Sequence, residues 1–195
     1  MTQGLERTAT STVKLSSRRA VIGWLVASAG LSIVPRAGFT SQDDLGRRFE
    51  FLSSNGNSSC SLAFLDSIPS MPDAARLQGS CCAPMDLHRY REQVVGLKAY
   101  TTIAEIPADP YDIEASLAKR LLTAYDLGLD PAQQEAYDQA MAISSERGPC
   151  CCQCWRWHVY GGLGRILIRD RGFGGEKVAR IWNLSDGCGG EKHMH

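Results

Sequence analysis

Apolar residues return at helical intervals through the second half of the chain. Leu87, Tyr90, Val94 and Leu97 are separated by three, four and three positions, which puts them on one face of a helix. Pro84 suits the first position of that helix, where a missing N–H leaves no bond unmade. Asp109-Pro110 and Asp130-Pro131 each read as an N-cap residue followed by proline at the first helical position. The first pair opens a helix carrying Ile113, Leu117, Leu121 and Leu122 and ending at Gly128. The second opens one carrying Tyr137, Ala140, Met141 and Ile143 and ending at Gly148-Pro149.

A further helix is expected to start inside the cysteine cluster at 150–154 and to run towards Arg169. Its buried side would hold Trp155, Val159, Leu163, Ile166 and Leu167. Gly161, Gly162 and Gly164 weaken it unless something large packs close to their backbone. A last short helix is expected over 176–184. No strand-like alternation of any length occurs, and residues 38–80, rich in Ser, Asn and Gly, read as irregular with short helical pieces, one near 61–67. The expectation is an all-α fold, a single four- to five-helix bundle following an N-terminal signal segment. Its parts are a signal peptide at 1–37, the irregular segment at 38–80, a cysteine-rich helical domain at 81–190 and a flexible tail at 191–195.

Composition sets the class. With 195 residues the chain can build one proper core but not two comfortable ones. Lys+Arg and Asp+Glu both number 21, so the net charge is zero. Nucleic-acid affinity comes mainly from an excess of basic groups on phosphates, so nucleic acid is not an expected partner.

The N-terminus changes the compartment. Lys14, Arg18 and Arg19 precede an apolar run at 20–34, too short for a membrane span of roughly 20 residues but suited to a signal-peptide core. The stretch SRRAVIG at 17–23 resembles a bacterial twin-arginine export signal, and Ala37 is a suitable last residue before cleavage. The resemblance covers the leader alone. It implies a periplasmic or otherwise extracytoplasmic protein, exported folded and not membrane-spanning once mature.

The chemistry rests on sulfur. Of eight cysteines, four lie in GPCCCQCWRWH: Cys150, Cys151, Cys152 and Cys154. The others are Cys60, Cys81, Cys82 and Cys188. On a helix, Cys150, Cys151 and Cys154 would share a face, with Cβ atoms about 5–6 Å apart. A disulfide needs about 3.8 Å between Cβ atoms, so such neighbours suit a shared metal better than a bond to each other. Cys81 and Cys82 lie before the expected Pro84 helix, whose positive end favours thiolate. Met85 adds a thioether, and Cys188 can fold back from a glycine-rich loop. The expected metal ligands are therefore Cys81, Cys82, Met85, Cys150, Cys151, Cys152, Cys154 and Cys188.

Soft thiolate and thioether donors select Cu(I), zinc or iron–sulfur clusters, and by the same softness Hg(II). Copper is the first expectation and mercury the second. The spacing lacks the paired knuckles of a zinc finger and matches neither common iron–sulfur pattern, so zinc and an iron–sulfur electron carrier stand behind them. His193, Met194 and His195 offer further donors, and His158 is either a ligand or a structural histidine. A disulfide framework is the structural alternative, since an exporting compartment permits it. Expected functions are sequestration, transfer or detoxification of a soft metal, with a metal-transfer or redox protein as partner. A thiol-dependent enzyme acting on disulfides or organometals is the other class, with Cys188 and Asp186 as its weak catalytic candidates.

Overall fold

The computed structural model describes residues 41–189. The leader and the terminal His193, Met194 and His195 lie outside the described residues. Of the two units into which contacts divide the chain, every described element belongs to Gly38–His195.

Among the described residues the fold is mostly helical, with seven α-helices and one two-stranded sheet. The helices are α1 (Ser41–Ser54), α2 (Leu62–Ser67), α3 (Leu87–Leu97), α4 (Ala115–Ala124), α5 (Pro131–Ile143), α6 (Trp155–Arg171) and α7 (Gly175–Ser185). The strands are β1 (Arg76–Gln78) and β2 (Asp112–Glu114), paired antiparallel with Leu77 opposite Ile113. This corrects the expectation of four to five helices and no strands. Helix α1 lies in the stretch read as irregular; its Leu45, Phe49 and Leu52 recur at steps of four and three among Asp, Arg, Glu and Ser. Those three apolar residues pack around Tyr90 of α3 and Tyr111. Strands of three residues are too short to show alternation, and their pairing partners lie 34 to 38 positions apart in sequence.

Two helix starts also differ. Helix α3 begins at Leu87 rather than at Pro84, because the Asp86 side chain accepts from the Arg89 N–H and supplies the cap. Asp109 accepts from the Tyr111 N–H in a turn; β2 follows, and α4 starts only after Glu114. Asp130-Pro131 does open α5, with a capping box in which Asp130 and Gln133 satisfy each other's backbone N–H groups.

The core gathers on α6. Trp155, Val159, Leu163 and Leu167 are fully buried, and α4, α5 and α7 all pack against this helix. Gly162 admits α4: a Cβ there would collide with the Leu121 carbonyl oxygen. A Cβ on Gly164 would stand 2.6 Å from the Trp182 ring of α7. The glycines that weaken α6 as an isolated helix are therefore where other elements touch its backbone. Close approach and ring burial, worth about 1.5–3 kcal/mol for a large apolar side chain, offset the lost helix propensity.

A candidate metal centre of eight sulfurs

Four separate segments bring the cysteines together. Cys60 stands just before α2, in a stretch tied to β1 by Asn57 and Ser58 N–H groups donating to the Gln78 carbonyl at 2.9 and 3.0 Å. Cys81 and Cys82 follow β1 after a turn at Gly79, whose φ of +76° falls in the left-handed region that glycine adopts readily. Cys188 follows α7, and its carbonyl accepts from the Ala83 N–H at 2.9 Å, clamping that loop to the 81–82 turn. Asp186 accepts from the Cys188 N–H at 3.1 Å and holds the loop closed.

The fourth segment, 150–154, is a looped stretch and not the start of a helix. Cys154 caps α6 with extended backbone angles, and the Cys154 N–H donates to the Cys152 carbonyl at 2.8 Å. Ser144, buried at the end of α5, both accepts from the Gly148 N–H and donates to the Gly148 carbonyl, anchoring the loop. The expected helical face of Cys150, Cys151 and Cys154 is thus corrected: the loop's turns, and not helical spacing, bring these thiols together.

The sulfurs form one continuous group. Cys82 lies 2.7 Å from Cys60, 3.6 Å from Cys81, 3.7 Å from Cys152 and 3.8 Å from Cys151. Cys188 lies 2.9 Å from Cys150, 3.0 Å from Cys151 and 4.0 Å from Cys81. Cys150 and Cys154 are 3.8 Å apart, and Cys60 and Cys152 3.9 Å. Two sulfurs bound to one ion at about 2.3 Å each are about 3.8–4.0 Å apart in tetrahedral or trigonal geometry. Six of the nine spacings, at 3.6–4.0 Å, are close to that separation, while Cys60–Cys82, Cys150–Cys188 and Cys151–Cys188 stand closer. Donor sets close enough to hold one ion include Cys60–Cys81–Cys82, Cys82–Cys151–Cys188 and Cys150–Cys151–Cys152; another joins Asp186 to Cys150 and Cys188.

Burial is graded across the group. Cys82 is exposed, Cys60, Cys81, Cys151 and Cys152 are half-buried, and Cys150, Cys154 and Cys188 are buried. Under the buried side lies Arg156, fully buried, donating to the Pro110 carbonyl at 2.6 Å and the Gly79 carbonyl at 2.9 Å. Its guanidinium stacks 4.5 Å from the Trp155 ring centre, and its Nε has no partner. Among the described residues no carboxylate is within ion-pair distance of it. Burial disfavours this charge, but Tyr160, Cys81, Cys188 and Cys150 beside it outweigh that effect and hold it protonated.

The same neighbours set the thiols apart. Cys150 pushes Cys81 upwards, but hydrogen bonding with Cys154 and Cys188, helped by Arg156, prevails and lowers it to about 6. Burial pushes Cys82 up to about 11. Cys154 goes to about 12: hydrogen bonding with Cys150 pulls it down, and Cys81 with burial overrides that pull. Burial first, then Cys82, raises Cys60.

Other expected donors fall elsewhere. Met85 packs with the apolar group of Leu52, Tyr90 and Tyr111. The His158 ring pairs its Nδ1 with the Cys154 carbonyl at 3.0 Å and lies against Tyr125, as a structural histidine does. Cys60 is the residue that sequence reasoning left out of the ligand set. Alone in a Ser-rich stretch, it carries no local signal; only the pairing of 57–58 with β1 brings it to Cys82. The chain matches no known family model, and no curated protein or solved structure shows significant similarity to it.

Proposed function

We propose that this protein binds soft metal ions through clustered thiolates outside the cytoplasm, with Cu(I) as first ion and Hg(II) as second, for sequestration, transfer or detoxification. The observation that carries the reading is the meeting of all eight cysteine sulfurs, from four segments, with spacings that a shared ion requires. The donors are soft, which favours monovalent copper and mercury over hard cations. The extracytoplasmic location rests on the twin-arginine-like leader alone.

Disulfide formation is the second reading, favoured by the approach of Cys60 to Cys82 and of Cys150 to Cys188. Arg156 weighs against it. A disulfide is neutral, so a fully oxidised cluster would leave a buried guanidinium with no compensating charge, which is costly. A metal–thiolate assembly supplies negative charge beside it.

Elemental analysis of protein purified from its native exported pool, with a free-thiol count before and after chelation, tests the reading. Near-stoichiometric copper or mercury with thiols released by chelator is expected. Metal-free protein without reactive thiols would favour the disulfide framework. Iron with sulfide and visible colour would make it an electron carrier.

A further inference from the structure

The donor sets are not separate sites. Cys60–Cys81–Cys82 and Cys82–Cys151–Cys188 share Cys82, and Cys82–Cys151–Cys188 and Cys150–Asp186–Cys188 share Cys188. Cys151 also belongs both to the set with Cys82 and to that with Cys150 and Cys152. An ion placed in any one set therefore takes sulfurs that its neighbour also needs. A thiolate sulfur has lone pairs for two ions, and Cu(I) is satisfied by two or three soft donors. Shared sulfurs and low coordination number fit one another.

We propose that the eight cysteines hold a polynuclear Cu(I) assembly with bridging thiolates at Cys82 and Cys188. Ions are taken up at the rim formed by exposed Cys82 and half-buried Cys60 and held on the buried floor of Cys150, Cys154 and Cys188. The proposal rests on the soft-metal reading above and adds ion number, connectivity and direction. Its geometry is directional: Cys82 is the exposed thiol and Cys188 is fully buried, while Cys81 and Cys151 each lie within 4.0 Å of both. An ion can pass from rim to floor by exchanging one sulfur at a time.

The charge account supports more than one ion. A single Cu(I) with two or three sulfurs would leave most of the group as thiols in a half-buried site. Each Cu(I) ion neutralises one ligating thiolate, and Arg156 beneath the floor answers one unit of the thiolate charge left over. Each thiol that ligates gives its proton to solvent, and copper remains monovalent throughout, so no oxidant or reductant takes part in binding.

The test is titration of the reduced full-length chain with Cu(I) buffered by a chromophoric chelator, with ion number read by native mass spectrometry and shared thiolates by Cu(I)–thiolate luminescence. Two or more ions per chain with luminescence are expected. Cys82→Ser should lower the count by at least one and slow copper exchange with the chelator about tenfold, with far-UV circular dichroism unchanged because the side chain is exposed. Cys188→Ser should lower the count without that slowing. Saturation at one ion, or a Cys82→Ser chain with wild-type count and exchange rate, overturns the polynuclear assembly and leaves soft-metal binding standing. No uptake by a chain in which all eight thiols are counted as free after denaturation overturns both.

Discussion

Arg156 donates a hydrogen bond to the Gly79 carbonyl at 2.9 Å, joining the first turn of α6 to the bend that carries Cys81 and Cys82. Its other bond, to Pro110, reaches the turn before β2. One buried cation thus fixes the position of two of the four cysteine segments, and Gly187 beside it leaves room where a Cβ would strike the guanidinium. Hydrogen bonds to a charged donor contribute about 1.5–3 kcal/mol each. Arg156→Met should therefore lower stability by about 3 kcal/mol or more, measured by urea unfolding of the reduced, metal-free chain. Arg156→Lys, which keeps the charge but loses the fork, should lose less. Equal losses for Met and Lys would mean that packing, and not charge, sets the effect.

Helix α6 meets α4 through Gly162, where nothing larger than hydrogen fits against the Leu121 carbonyl. Gly162→Ala should cost about 3 kcal/mol, the upper part of the range for overpacking. Gly128→Ala, at a position where an added Cβ meets nothing, should change stability by no more than about 0.5 kcal/mol. Thermal unfolding of the two variants side by side checks both statements.

Thiol reactivity should follow charge rather than exposure. Cys82 is the exposed cysteine, yet burial of its sulfur among the other thiols lifts it to about 11. Cys81 is raised by Cys150 but lowered further by Cys154, Cys188 and Arg156, to about 6, so it is mainly thiolate at pH 7. In reduced, metal-free protein, iodoacetamide should modify Cys81 first, with a rate that falls as pH drops through about 6. Cys154, near 12, should stay unmodified at neutral pH. Peptide mapping by mass spectrometry against pH reads the order. The linkage has a matching sign. Because the folded value of Cys81 lies below its ordinary 9.0, its contribution to stability is present above pH 9 and is lost as pH falls through about 6.

Metal loading should stabilise the fold, since the sulfurs come from four segments that the unfolded chain does not hold together. An ion at a hundred times its dissociation constant adds about 2.7 kcal/mol. For a chain of this size that raises the unfolding temperature by about 5–10 °C. Calorimetry of the reduced chain with and without Cu(I) measures the shift, and acidification should reverse it, because protons compete for the thiolates.

Legibility differed by element. Helix α5 could be read from Asp130-Pro131 and its apolar spacing, because a capping box is built within four residues. The stretch at 61–67 was legible for a similar local reason, since the Ser61 side chain accepts from the Phe64 N–H at its start; the last helix, over Gly175–Ser185, has no side-chain cap and lies close to the expected 176–184. Helix α1 was hidden by its polar composition, and α3 and α4 started later than their prolines suggested, because Asp86 capped one and a strand preceded the other.

The sequence by itself determined the chemistry available: eight thiols, half of them in one five-residue stretch, on a chain whose apolar periods are helical. Those are local properties, fixed by residue type and by spacing of a few positions. The tertiary structure alone decided that Cys60 joins the group and that Arg156 lies beneath it. It likewise decided that the glycines of α6 are contact points and not breaks. Each of these depends on residues many positions apart meeting in a packed interior. Such meetings follow from the geometry of the whole chain, which no single stretch carries.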